Sequence, residues 1–112
     1  MTDHELLEAA SSVYGIQINW DFCDTCFYYS SDEKASNPKI YWNPLTNDGD
    51  ALRLAATLNI DVMQDKHEQV VSARCPGIEF DDDWIGEHWG SSKLAATRRA
   101  IVRAAASIGG AT

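Results

Sequence analysis

Along this chain the spacing of apolar residues changes period several times, and each change marks an element. Leu6, Leu7, Ala10 and Val13 recur at three- and four-residue intervals, the period of one helix face. Ahead of them Thr2-Asp3-His4-Glu5 has capping-box spacing, with a hydroxyl to take an orphan amide near Glu5 and a carboxylate to reach back. Gly15 suits the left-handed conformation that ends a helix, so the pattern predicts a helix closing at Tyr14. Ile16, Ile18 and Trp20 then alternate with Gln17, Asn19 and Asp21, the period of a strand buried on one face. Phe27-Tyr28-Tyr29 can pair as a further strand, whereas Ser30 to Asn37 is polar and reads as a loop. Lys39-Ile40-Tyr41-Trp42 is a short aromatic and β-branched run that suits a pleated surface.

From Tyr41 to Leu54 the chain turns from strand to helix. A residue before proline avoids the helical region, so Asn43-Pro44 ends the strand. Asn47 or Asp48 caps the next helix, with Asp48 and Asp50 near its positive end. Leu52, Ala55, Ala56 and Leu58 form its narrow apolar face, and Asn59 stands ready as a left-handed cap. Ile60 and Val62 flank Asp61, and after Gln64-Asp65-Lys66 a second β-prone run through Val70-Val71 reaches Arg74, which predicts a hairpin. Cys75-Pro76-Gly77 terminates it. Glu79 to Gly90 has neither period and is expected as a surface loop. Ser91 or Ser92 caps a last helix with Leu94, Ile101, Val102, Ala105 and Ile108 as its stripe and Gly109-Gly110 as its stop. The order α-β-β-α-β-β-α predicts an α+β fold: a small antiparallel sheet of four or so strands carrying three helices. At 112 residues the chain is expected to form a single compact domain, 1–112.

Charge narrows the partners. Seventeen acidic against nine basic residues give a net charge of -8, which opposes unassisted approach to DNA, RNA or an anionic membrane. No direct nucleic-acid binding is expected, and basic or metal-bearing partners fit better. No basic and apolar leader opens the chain, and no apolar run approaches the roughly 18 residues of a spanning helix, so a cytosolic protein without a membrane partner is expected. Three cysteines in such a setting predict reduced thiols.

Trp42-Asn43-Pro44-Leu45 with Asp48-Gly49-Asp50-Ala51-Leu52-Arg53-Leu54, and Ala96-Thr97-Arg98-Arg99-Ala100-Ile101-Val102-Arg103-Ala104-Ala105-Ala106, form a distinctive pair of segments. Together with the opening Met1-Thr2-Asp3-His4-Glu5-Leu6-Leu7, they resemble a family of small uncharacterised proteins encoded by tailed phages and prophages. Asp21 to Pro38 and Val71 to Gly90 carry no motif of that resemblance. It implies a phage origin and expression in the cytoplasm of a bacterial host. It carries no catalytic residues and implies no reaction.

Three sets of residues have candidate chemistry. Cys23-Asp24-Thr25-Cys26 has the spacing of half a zinc site or of a redox pair, and Cys75 with His67 or His88 would have to complete the zinc set. A second close-spaced cysteine pair is missing, as is the strand-to-helix setting of a redox motif. Asp81-Asp82-Asp83-Trp84 with Glu87, His88 and Trp89 joins carboxylates to indoles, a combination suited to anchoring a basic protein groove, though such clusters are more often solvated faces. Asp48 and Asp50 lack the alternating oxygen ligands of a calcium loop and read as helix caps.

No phosphate-binding glycine loop, paired-histidine metal motif or triad spacing is present to suggest catalysis. From Ser91 to Thr112, Lys93, Arg98, Arg99 and Arg103 give +4 with no acid, leaving five basic residues against all 17 acids, or -12, in the rest. Those arginines are expected to complement the acidic body and the negative end of their helix rather than contact phosphate. The leading expectation is a non-enzymatic accessory protein that binds a host or phage protein through an acidic surface, in one form as a mimic of nucleic acid that inhibits a host defence or DNA-handling machine. The alternative is a small cysteine-based zinc module built on Cys23, Cys26, Cys75 and His67.

Overall fold

The structure, a computed structural model, describes residues 2–22, 26–29, 40–75 and 84–108. In chain order the elements are α1 (Asp3–Tyr14), β1 (Asn19–Asp21), β2 (Cys26–Tyr29), β3 (Ile40–Tyr41), α2 (Asp48–Leu58), β4 (Asp61–Asp65), β5 (Val70–Arg74), β6 (Ile85–His88) and α3 (Lys93–Ile108). The class is α+β, as the periodicity predicts. The single sheet of about four strands is corrected to two antiparallel sheets of three strands, ordered β1-β2-β3 and β4-β5-β6.

The caps fall where the side chains demand. Thr2 Oγ1 accepts from the Glu5 amide at 3.2 Å and donates to the Glu5 carboxylate at 3.2 Å, so the box closes on the hydroxyl. At the other end of α1, Gly15 takes φ 93° and donates to the Ser11 carbonyl, a conformation that a Cβ would disfavour. Asn47 rather than Asp48 caps α2, its Oδ1 accepting from the Asp50 amide at 2.9 Å. Asn59 closes α2 in the left-handed region at φ 55°. Ser92 opens α3 by accepting from the Ala95 amide. The expected stop at Gly109-Gly110 and the polar run from Ser30 to Asn37 lie outside the described residues.

In the first sheet Trp20 stands opposite Phe27, and Tyr28 stands opposite both Asn19 and Tyr41. The Trp42 amide donates to the Phe27 carbonyl and extends the ladder by one residue. Aromatic contacts bind this sheet to α1: the His4 ring lies 4.4 Å from Trp20 and 4.6 Å from Phe27, and Tyr14 stacks on buried Trp42. Ile16 and Ile18 precede the strand and pack on the core, although pairing begins only at Asn19.

The second sheet contains the predicted hairpin, β4 against β5, with Asp61 opposite Arg74 and Asp65 opposite Val70. Its third strand corrects the expectation of a loop from Glu79 to Gly90, since Ile85–His88 pair with β5 as β6. Val71 and Ala73 are fully buried beneath α3. In an antiparallel ladder residues directly opposite share a face, so Val62, Gln64, Ile85 and Glu87 also point toward the helices.

Helix α3 occupies the centre, packed on α1, α2, β5 and β6. Ala96, Ala100, Ala104, Ala105 and Ala106 are buried with Ile101 and Val102, and such small residues let neighbouring backbones approach closely. The expected single stripe is therefore corrected: burial runs round most of the helix, while Leu94 and Ile108 at its ends are exposed. The face of α2 is corrected as well. Ala51, Leu54 and Ala55 are buried, whereas Leu52 is 69 % and Leu54 0 % exposed.

These positions separate by mutation. Leu54→Ala should cost about 3 kcal/mol by cavity formation, and Leu52→Ala under about 0.5 kcal/mol, in urea or thermal unfolding. Equal losses would contradict this phase of α2.

Candidate interaction surface

The strand-to-helix corner is closed by side chains acting on backbone. Asn43 Oδ1 accepts from the Leu45 amide at 3.0 Å, and the Asn43 carbonyl accepts from the amides of Thr46 and Asn47. The Asn43 amide, left over by the end of the strand, donates to Asp50 Oδ2 at 2.9 Å. Asp50 is buried and its other oxygen accepts from Arg53 at 2.7 Å. That hydrogen bond raises the Arg53 guanidinium above its ordinary value, against an opposing effect of desolvation. Asp50 is thus spent on the corner. Asp48 is spent on α3, since it accepts from Arg98 at 2.6 Å.

The basic face of α3 is likewise consumed inside the molecule. Arg98 donates Nε to the Leu45 carbonyl at 2.8 Å as well as Nη1 to Asp48, and its side chain is only 17 % exposed. Arg99 reaches Asp3 of α1 at 2.8 Å and lies 3.6 Å from Glu87 of β6. Arg103 donates to Glu87 at 2.7 Å and to the Gly86 carbonyl at 3.4 Å. With Arg53 on Asp50 and Arg74 on Asp61, every arginine of the chain is paired with a carboxylate of the same chain. The expected complement to the acidic body is present. The expected complement to the helix's negative end is not, because the last turn of α3 holds no basic residue.

Of the acidic aromatic cluster, Asp81, Asp82 and Asp83 lie outside the described residues. Trp84 is half-buried beneath Arg74, whose guanidinium carbon sits 4.5 Å from the ring centre. Glu87 is corrected from an outward anchor to an inward one, bridging Arg99 and Arg103 from the helix-facing side of β6. Trp89 is corrected in the same sense: it packs against the core under Lys93, and its buried Nε1 meets no acceptor among the described residues. The exposed carboxylates with no ion pair among the described residues are Glu5, Glu8, Asp65 and Glu68, although Glu5 holds the Thr2 hydroxyl and Asp65 two amides of its own turn.

The cysteines do not converge on His67. Cys75 is buried at the far end of β5, where its thiol donates to the Ala104 carbonyl at 2.8 Å and lies 3.3 Å from the Ser107 hydroxyl. His67 is exposed in the β4–β5 turn and His88 stands opposite Val70, so the length of β5, roughly 17 Å of extended chain, separates both from Cys75. Cys26 is half-buried on β2, in the other sheet, and Cys23 lies outside the described residues. Among the described residues no three His, Cys, Asp or Glu side chains are grouped as metal ligands.

Sequence reasoning missed a different surface. Leu52 and Leu94, read as apolar helix faces, and Val62 of the hairpin are 69 %, 61 % and 40 % exposed and line two clefts beside α2. The signal was present for Leu52. Ala51, Leu54, Ala55 and Leu58 form an i, i+3, i+4, i+7 stripe that leaves it out, and the turn of Asp50 toward Asn43 selects that stripe.

Fold and surface together define a small α+β protein whose five arginines are each paired with one of its own carboxylates. No protein-family model, curated protein or solved structure matches the chain. Among the described residues, no helix is long and apolar enough to cross a membrane.

The Glu87 bridge gives a direct test. Glu87→Gln leaves the half-exposed Arg103 guanidinium without its carboxylate and removes the longer of Arg99's two contacts, and should cost about 1 kcal/mol, read by chemical unfolding. Glu68→Gln, on an exposed turn, should change stability by less than about 0.5 kcal/mol. A Glu87→Gln protein as stable as the wild type would remove the bridge from the account.

Proposed function

We propose that the chain is a phage-encoded, non-enzymatic accessory protein that binds a basic protein of host or phage through its acidic surface. Mimicry of nucleic acid is the mode that fits best: carboxylates on a rigid domain occupy a groove built for phosphates and exclude its substrate. The observation that carries the reading is the internal use of all five arginines, with a net charge of -8 remaining. A chain whose guanidinium groups are tied down offers little positive surface to offset that charge, so long-range attraction is reserved for basic partners. The resemblance of the corner and last-helix segments to small tailed-phage proteins supports the origin and the bacterial cytoplasm as the place of action.

Within this proposal Asp81, Asp82, Asp83 and Trp84 are the contact residues, while Glu87 and Trp89 act by holding β6 and the turn after it against α3. Capture of the tagged protein's partners from bacterial lysate, washed at low and high salt, tests it. A specific partner retained at low salt, released at high salt, and lost when Asp81, Asp82 and Asp83 are replaced by Asn is the expected outcome. Retention by the triple variant equal to wild type would contradict the proposed contact.

A further inference from the structure

Strand β4 is an edge. Among the described residues it pairs with β5 on one side only, and all five of its residues, Asp61 to Asp65, are exposed. The backbone groups on its outer side form a template for another strand. Edges of this kind are commonly blunted by proline, lysine or a bulge. None of these interrupts Asp61-Val62-Met63-Gln64-Asp65, whose register against β5 is continuous.

Beside this edge lies apolar surface. Val62 faces the helix side and, with Leu52, Ala55, Ala56 and Ile60, lines a cleft of about 430 Å³. Leu52 also forms one wall of a second cleft, about 260 Å³, between α2 and α3, with Leu94 and Ile101 on the other side. Gln64 donates to the Thr97 hydroxyl at 3.1 Å and ties the edge to that second cleft. A strand added outside β4 would place alternate side chains over Leu52 and Val62 and the others beside Asp61, Met63 and Asp65.

Charge decides which strand is accepted. A second copy paired antiparallel along all five residues would set Asp61 against Asp65 at both ends, an opposition of like charges. A segment with Lys or Arg opposite Asp61 and Asp65, and an apolar residue opposite Val62, satisfies both faces at once. We propose that β4 and the adjoining cleft take an extended segment of a partner protein, alternating basic and apolar residues, as a fourth strand of the β4-β5-β6 sheet. This goes beyond the preceding reading and rests on its basic partner: β4 is a second contact, in addition to that at Asp81 to Asp83.

The test is an amide chemical-shift titration with a synthetic peptide of about eight residues alternating Lys and Val. Three comparison peptides accompany it: the same sequence methylated on alternate backbone nitrogens, one alternating Glu and Val, and a scrambled sequence of equal composition. Saturable shifts confined to Asp61–Asp65 and the Leu52 cleft, lost on methylation and absent with the Glu peptide, are expected. Leu52→Gln and Val62→Thr, which leave the net charge unchanged, should each weaken the Lys-Val peptide about tenfold, while Phe22→Gln on the other sheet has no effect.

Shifts centred on Glu5 and Glu8 would overturn strand addition while leaving the basic-partner reading standing. Equal binding of the Glu peptide or of the scrambled peptide, no binding by the Lys-Val peptide, or concentration-dependent shifts at β4 without peptide would each overturn the proposal, the last in favour of a second copy.

Discussion

Arg98 holds the molecule's principal corner in place. Its planar fork reaches out of α3 to the Leu45 carbonyl with one nitrogen and to Asp48 with another, so one side chain fixes both the turn after β3 and the first turn of α2. A lysine, with a single ammonium, could not satisfy two acceptors set apart in this way with the same geometry. On the corner's inner side, Asp50 takes the orphaned Asn43 amide and thereby sets the rotation of α2. The phase of α2 determines that Leu54 is buried and Leu52 is not. The surface available for binding therefore follows from hydrogen bonds made several residues away.

The elements that could be read directly from the chain are those whose signals are local. Thr2 with Glu5, Gly15, Asn47, Asn59 and Ser92 cap their helices through atoms within a few residues, and the hairpin from Asp61 to Arg74 follows from alternation around a polar turn. Strand β6 was illegible for a physical reason. Its inward positions are Ile85 and Glu87, and a carboxylate on the buried face destroys the alternation that marks a strand. Glu87 is tolerated there only because Arg99 and Arg103, more than ten residues later, neutralise it. A helix buried on most sides, such as α3, offers several equivalent apolar stripes, so the inclusion of Leu94 and Ile108 in the core could not be judged without knowing what packs around it.

The same pairing governs what the surface can do. From sequence, +4 in the last helix against -12 elsewhere describes a strongly dipolar chain whose arginines are expected to complement its acidic body. In the folded protein the three arginines of that helix lie against Asp48, Asp3 and Glu87. Net charge remains at -8, with Glu5, Glu8, Asp65 and Glu68 exposed and in no ion pair among the described residues. A basic partner is the reading consistent with that distribution, and the open edge at β4 offers such a partner hydrogen bonds as well as charge.

A double-mutant cycle on Arg98 and Asp48, using alanine at each position and urea unfolding, tests most directly whether arginine pairing builds this fold. The account predicts a coupling energy of about 1 kcal/mol, with Arg98→Ala alone costing more than Asp48→Ala because it also frees the Leu45 carbonyl. Additive losses, within about 0.3 kcal/mol, would show that the two side chains act independently. The assignment of α3's positive charge to the fold would then be contradicted.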